Sequence, residues 1–241
     1  MTTKSRGEKR PENIDRVFDL LEEMWECEKN PPDLAHEEPL DGLILTLLSQ
    51  NTNDLNRDKA FAALKARFPS WNSAARAPVE EIAGVIRPAG LAPTKSARMA
   101  EILAVLQRDF GEYSLRGVRE WSTDEIRNYL LSLPGIGPKT AACVLLFDLG
   151  RPAFPVDTHI ARFCRRMEWV GETTPPDLMI PLMESWVPPA RFLGGHVNII
   201  LHGRGICKAR KPECGRCALS PLCPYDRRKG ETGEGLPLSK E

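Results

Sequence analysis

Apolar side chains at Ile14, Val17, Phe18, Leu21, Met24 and Trp25 recur three and four positions apart with charged residues between them, which predicts an amphipathic helix over residues 12–28. The segment NPPDL ends it. The same spacing returns in DGLILTLLSQ, DKAFAALKARF, VEEIAGVI, KSARMAEILAVLQRDF and TDEIRNYLLSL, with proline, glycine or polar breaks between them. Ser122 followed three residues later by Glu125 marks the start of one of these helices with a capping box. Beyond the turn LPGIGP come KTAACVLLF, DTHIARFCRRMEW, PPDLMIPLMESW and a long ARFLGGHVNIILHGRG. No run of alternating β-branched residues interrupts the series. The expected fold is all-α, about ten short helices, without an internal repeat.

Length and composition narrow this picture. With 241 residues, 41% of them apolar, the chain is large enough for a substantial core in one large or two small domains. No stretch approaches the roughly 20 apolar residues of a membrane span, and MTTKSRGEKRPEN has no apolar core of a secretory signal, so a cytoplasmic, non-secreted protein is expected. The polar ends, residues 1–11 and 227–241, are expected to be disordered tails. Net charge is zero, which alone argues against a nucleic-acid partner, but the charge is segregated. Eleven acids face two bases between Glu12 and Asp41, whereas eight bases face two acids between Leu201 and Gly230. A neutral chain of this kind can still present a basic face.

The seven cysteines are an odd number in a chain without an export signal, so a disulfide framework is not expected. Cys27, Cys143 and Cys164 fall in apolar helical patterns and read as buried small hydrophobes. Cys207, Cys214, Cys217 and Cys223 crowd into CKARKPECGRCALSPLC and imply a metal. Spacing leaves zinc and an iron–sulfur cluster both open, since one Cys-x2-Cys knuckle is present and either centre can take four thiolates. Lys208, Arg210, Lys211 and Arg216 lie between the ligands, so the metal would order a cationic loop suited to phosphate.

In LPGIGPKTA, Gly135 and Gly137 stand where the chain turns between two helices, as positive φ or close approach of a partner to the backbone requires. Pro138 suits a first helical position. Lys139 then puts a cation in the first turn, where the helix dipole disfavours it. Desolvation by the following apolar residues and the dipole both favour the neutral amine there, and a neutral amine is a nucleophile. Asp157 in FPVDTHIARF caps a new helix and is a candidate partner, although local geometry does not bring it to Lys139.

These segments resemble the endonuclease III family, the helix-hairpin-helix DNA glycosylases: LPGIGPKTA is similar to its hairpin, VDTHIAR to its catalytic-aspartate segment, the four-cysteine tail to its 4Fe-4S loop, and LLSQNTND to a further family segment. The likeness runs from about residue 12 to 226 with the motifs in order. It implies two all-α domains flanking a DNA-binding cleft: a six-helix domain with the helix-hairpin-helix over residues 32–151, and an iron–sulfur cluster domain made from 12–31 and 152–226. It further implies that Lys139 and Asp157 face each other as catalytic residues, that Gln50 fills the gap left by a flipped nucleotide with Leu91 as a wedge beside it, and that Gly135, Ile136, Gly137 and His159 also contact DNA. The bland readings of Gln50 as a helix cap, Leu91 as core and His159 as helix packing stand beside these. The implied activity is a monomeric bifunctional glycosylase and abasic-site lyase for oxidised pyrimidines in double-stranded DNA, acting on damaged bases or abasic sites of chromosomal DNA with a 4Fe-4S cluster at Cys207, Cys214, Cys217 and Cys223. Glycosylase action on thymine or uracil opposite guanine, or a non-catalytic damage-sensing module, are the alternatives. Pro138 stands where many members carry a basic residue and Ala92 where many carry tyrosine, which implies weaker phosphate contact and an altered damage preference.

Overall fold

The computed structural model describes residues 9–226. Of the two expected tails, residues 1–8 and 227–241 lie outside the described residues, while residues 9–11 are non-helical and Arg10 Nε donates to the Trp186 carbonyl at 2.8 Å. No strand occurs among the described residues, as the all-α reading expects. In chain order the α-helices are α1 (Ile14–Trp25), α2 (Pro39–Ser49), α3 (Asp54–Arg67), α4 (Trp71–Ala75), α5 (Val79–Val85), α6 (Ala92–Phe110), α7 (Thr123–Ser132), α8 (Pro138–Cys143), α9 (Thr158–Arg166), α10 (Pro176–Trp186) and α11 (Phe192–Gly205). Among the described residues no helix is long and apolar enough to cross a membrane. The chain divides into two compact units: Leu34–Pro152 forms one, and the segments up to Asp33 and from Ala153 form the other.

The Leu34–Pro152 unit is built around α2. Leu40, Leu43, Ile44, Leu47 and Leu48 are fully buried, so this helix is apolar on nearly every side and must be surrounded. It packs against α3, α6 and α8. Its start is fixed by Glu38, whose carboxylate accepts from the Leu40 N–H at 3.1 Å and the Leu115 N–H at 2.9 Å. Asp41 in its first turn accepts from Lys65 Nζ at 3.0 Å and Trp71 Nε1 at 2.7 Å, tying α3 and α4 to it. The segment KTAACVLLF, a single helix by its pattern, is two pieces: α8 gives way at Val144 to a wider π-helical turn, Val144–Asp148. This turn sets Asp148, 4% exposed, within 2.7 Å of His36 Nδ1. Gly42 of α2 leaves it room, because a Cβ there would lie 2.0 Å from the Asp148 carboxylate.

In the other unit, α11 packs against α1 and α9. The close approach of α11 to α1 and to the segment after it needs glycine, because a Cβ on Gly195 would lie 2.4 Å from a Phe18 ring carbon and one on Gly194 2.4 Å from Glu28 Cα. Phe18, Phe154, Phe163, Trp169 and Phe192 form the aromatic core, with Phe18 stacked on Trp169 at 6.4 Å and Phe154 edge-on to Phe192 at 5.5 Å. Glu22 is buried where α1 ends. Its carboxylate accepts from the Glu28 N–H at 2.8 Å, the Lys29 N–H at 3.0 Å and Asn198 Nδ2 at 2.9 Å. Desolvation pushes its pKa up, but these hydrogen bonds outweigh it and hold the group below its usual 4.5.

A carboxylate depressed in the folded state contributes stability above its unfolded pKa and loses it as pH falls through the folded value. Glu22→Gln is therefore expected to lower stability at pH 7 by about 1–3 kcal/mol. It should also flatten the acid loss of stability below the usual 4.5, measured by denaturant melts across pH.

Candidate functional site

The hairpin joins α7 to α8. Ser122 accepts from the Glu125 N–H and Glu125 answers at the Ser122 N–H, so α7 starts with the capping box its sequence announces. After α7, the Ile136 N–H turns back to Leu133 O at 3.2 Å and Gly135 takes φ +73°, which glycine adopts without strain. Gly137 differs. Its φ is −99° and a Cβ there would meet nothing within 4 Å, so nothing inside the protein demands glycine. The bare backbone at 137 faces open space that an outside partner can approach. Ile136, grouped with the glycines as a contact residue, points inward at 6% exposure, and its N–H is spent within the turn. Pro138 begins α8 and is exposed; Lys139 follows it, half-buried. Within its unit Lys139 has no hydrogen-bond or ion-pair partner.

Gln50 is the residue that ends α2, as its bland reading expected, and it also spans to the hairpin. Its Nε2 donates to Gly135 O at 3.4 Å while its Oε1 accepts from Arg98 Nη1 at 3.2 Å. Arg98, on α6, also fills the space beside Gly135, its Cδ standing 2.5 Å from where a Cβ would be. Sequence reasoning passed over Arg98. Leu91 precedes α6 in a left-handed conformation, φ 47°, and is 56% exposed, so it is not a core leucine. Ala92 after it is buried.

In the other unit Asp157 caps α9, accepting the Ile160 N–H on Oδ1 at 2.9 Å, and its side chain is half-buried. His159 lies against α11, where Gly203 admits it: a Cβ there would be 2.8 Å from His159 Nδ1. Arg162 Nη2 sits 3.1 Å from the same nitrogen. A guanidinium cannot accept, so Nδ1 accepts and the ring hydrogen is on Nε2. Burial pushes the His159 pKa down. These contacts fit the helix-packing reading of His159.

Cys207, Cys214, Cys217 and Cys223 line one cavity together with Arg166 and His202. Arg166 is 3% exposed and stacks over Tyr225 at 4.5 Å. Its Nη1 donates to Cys207 Sγ at 3.0 Å and Lys208 O at 2.9 Å, and its Nη2 donates to Ala209 O at 3.1 Å, so a buried guanidinium holds the start of the cysteine loop. His202 Nε2 is 3.6 Å from Cys217 Sγ. Burial pushes the Cys217 thiol up to about 11 and His202 down to about 4. Arg166 Nε and His202 Nδ1 are buried without a hydrogen-bond partner among the described residues. Four sulfurs around one cavity with a cationic donor are a donor set suited to an iron–sulfur cluster. Among the described residues no group of three or more His, Cys, Asp or Glu side chains is arranged to hold a single metal ion.

Residues 44–189 match the model of the HhH-GPD superfamily of base excision DNA repair proteins. An Arabidopsis thaliana protein whose name places it among DNA glycosylases is 43% identical over 194 residues, covering 80% of this chain and 66% of that one. The chain thus spans just under two thirds of the length of that relative. Endonuclease III of Thermotoga maritima is 33% identical over 203 residues, covering 83% of this chain and 90% of that one. The fold matches the structure of a trapped endonuclease III–DNA covalent intermediate with a TM-score of 0.79 at 27% identity, covering 90% of this chain and 97% of that chain.

The two hairpin glycines should respond differently to alanine. Gly135→Ala forces a side chain into left-handed backbone and is expected to cost about 1–2 kcal/mol. Gly137→Ala is expected to stay within about 1 kcal/mol of the native chain, since restriction of the unfolded state offsets a poorer helix cap. Urea melts of the two variants measure the difference.

Proposed function

Because the chain belongs to the HhH-GPD superfamily of base excision DNA repair proteins and, within it, to the endonuclease III family of DNA glycosylases, we propose that it removes oxidised pyrimidines from double-stranded DNA and cleaves the resulting abasic strand through Lys139. The observation that carries this is Lys139 itself: an amine in the first turn after a glycine hairpin, half-buried, with none of its donors engaged within its unit. A side-chain amine so placed can act as a nucleophile once it has given up its proton.

The damaged nucleotide leaves the stack so that its sugar carbon can be reached. Gln50 fills the gap and Leu91 wedges beside it; the exposed leucine on its left-handed backbone supports that reading. The Lys139 amine forms a bond to C1′ as the bond from C1′ to the base breaks, and the base departs with the bonding pair and takes up a proton. Loss of the amine proton and opening of the sugar ring leave a Schiff base. Removal of a C2′ proton then expels the 3′ phosphate by β-elimination, and water releases the amine. Asp157 accepts the lysine proton or stabilises positive charge on the sugar; its Oδ2 is the oxygen not spent on the Ile160 cap. Gly137 lets a phosphate approach the backbone.

Cys207, Cys214, Cys217 and Cys223 hold a 4Fe-4S cluster in this reading, with Arg166 donating to the Cys207 sulfur. Sulfurs standing around a cavity suit a body of several atoms better than one zinc ion. The cluster's contribution is structural: it orders the loop bearing Lys208, Arg210, Lys211 and Arg216.

Duplexes carrying one lesion each, assayed separately for base release and strand scission, test the substrate. Oxidised pyrimidine should be released and its strand cut; preferential release of thymine or uracil opposite guanine would replace that substrate. Lys139→Ala should abolish scission, and Asp157→Asn should slow base release by about 10²–10⁴-fold. Anaerobically purified protein should be yellow-brown with about four iron atoms per chain. A colourless protein with one zinc would overturn the cluster.

A further inference from the structure

A second lysine stands in a first helical turn, and the reaction above does not use it. Lys95, near the start of α6, is 1% exposed. Its Nζ donates to Leu48 O at 2.7 Å, Gln50 O at 2.7 Å and Ala89 O at 2.9 Å. Three acceptors require three N–H donors, so the group is an ammonium, fully spent on main-chain oxygens. Two of these carbonyls close α2, whose last carbonyls lack helical partners and whose C-terminus favours a cation. The third belongs to the turn that leads into Leu91.

Both segments are strained immediately beyond these contacts. Asn51, after Gln50, has φ 54°, and Leu91, two residues after Ala89, has φ 47°. Left-handed backbone at non-glycine residues persists where the surroundings over-determine it. Here Lys95 is the shared surrounding: one nitrogen grips the chain just before each strained residue. Its own N–H also donates to Leu91 O at 3.0 Å. Arg98, three residues on and on the same face of α6, holds the Gln50 side chain.

We propose that Lys95 is a positioning residue: its buried ammonium ties the segment carrying Gln50 to the segment carrying Leu91 and so fixes where both side chains stand when a nucleotide is extruded from a duplex. The inference rests on the reading of Gln50 and Leu91 as gap-filling and wedging residues. Lys95 touches no substrate. Its effect falls on the step in which DNA is opened, not on the step in which Lys139 reacts.

Strand scission at an abasic site is compared in a duplex and in a single-stranded oligonucleotide, where nothing needs to be extruded. Lys95→Met, which keeps the stem and removes the charge, is expected to slow the duplex reaction about 10- to 100-fold and leave the single-stranded reaction unchanged. In a Gln50→Ala/Leu91→Ala background it should add no further loss on the duplex. Lys95→Gln, which restores amide donors, should recover part of the duplex activity. Equal falls on both substrates, or full additivity with the double variant, would overturn the proposal. If neither variant folds, as judged by circular dichroism and a cooperative melt, Lys95 is a general core residue and the proposal is likewise overturned. Wild-type protein inactive on both substrates overturns the functional reading and this inference with it, whereas active wild type with equal falls overturns this inference alone.

Discussion

The buried ammonium of Lys95 is the interaction on which the Leu34–Pro152 unit hangs its working parts. It closes α2 by binding Leu48 O and Gln50 O, and through Ala89 O it holds the turn before α6. From the end of α2 so fixed, Gln50 reaches Gly135 O, and the hairpin at Gly135 leads directly into α8 and Lys139. The apolar surface of α2 supplies the cohesion of this unit, but cohesion is non-directional. Direction comes from a small number of charge-assisted hydrogen bonds placed at helix ends.

The same device recurs in the other unit with a different cation. Arg166, buried at the end of α9, spends its fork on Lys208 O, Ala209 O and the Cys207 sulfur, and so fixes the cysteine loop where it leaves α11. Three convergent carbonyls suit the rotatable ammonium of lysine; several acceptors reached from two adjacent nitrogens suit the guanidinium fork. In each case a buried charge, costly if left alone, is compensated by main-chain oxygens.

Much of the fold was legible because the helices are amphipathic and their starts carry recognisable caps. Ser122 with Glu125 and Asp157 are read from sequence and found as caps, since capping depends on neighbours three residues away. What failed to show were contacts between distant segments. Lys95 and Lys139 look alike in sequence, each a cation early in a helix after proline; Lys95 finds its reason 47 residues away at Leu48, while Lys139 finds none within its unit. The break of KTAACVLLF at Val144 accompanies a contact between Asp148 and Gly42, more than a hundred residues apart, which no local pattern encodes. By sequence Leu91 stands between wedge and core, and its 56% exposure on left-handed backbone removes the core reading. Arg98 and Arg166 carry no local signal that sets them apart from other basic residues, and they are half-buried and buried.

The central claim is that the amine of residue 139 bonds to the sugar. Reduction with borohydride during reaction with an abasic-site duplex, followed by peptide mapping of the cross-linked protein by mass spectrometry, tests it most directly. The account predicts a single nucleotide adduct on Lys139. An adduct on any other residue, or none in a protein that still cuts the strand, would contradict it.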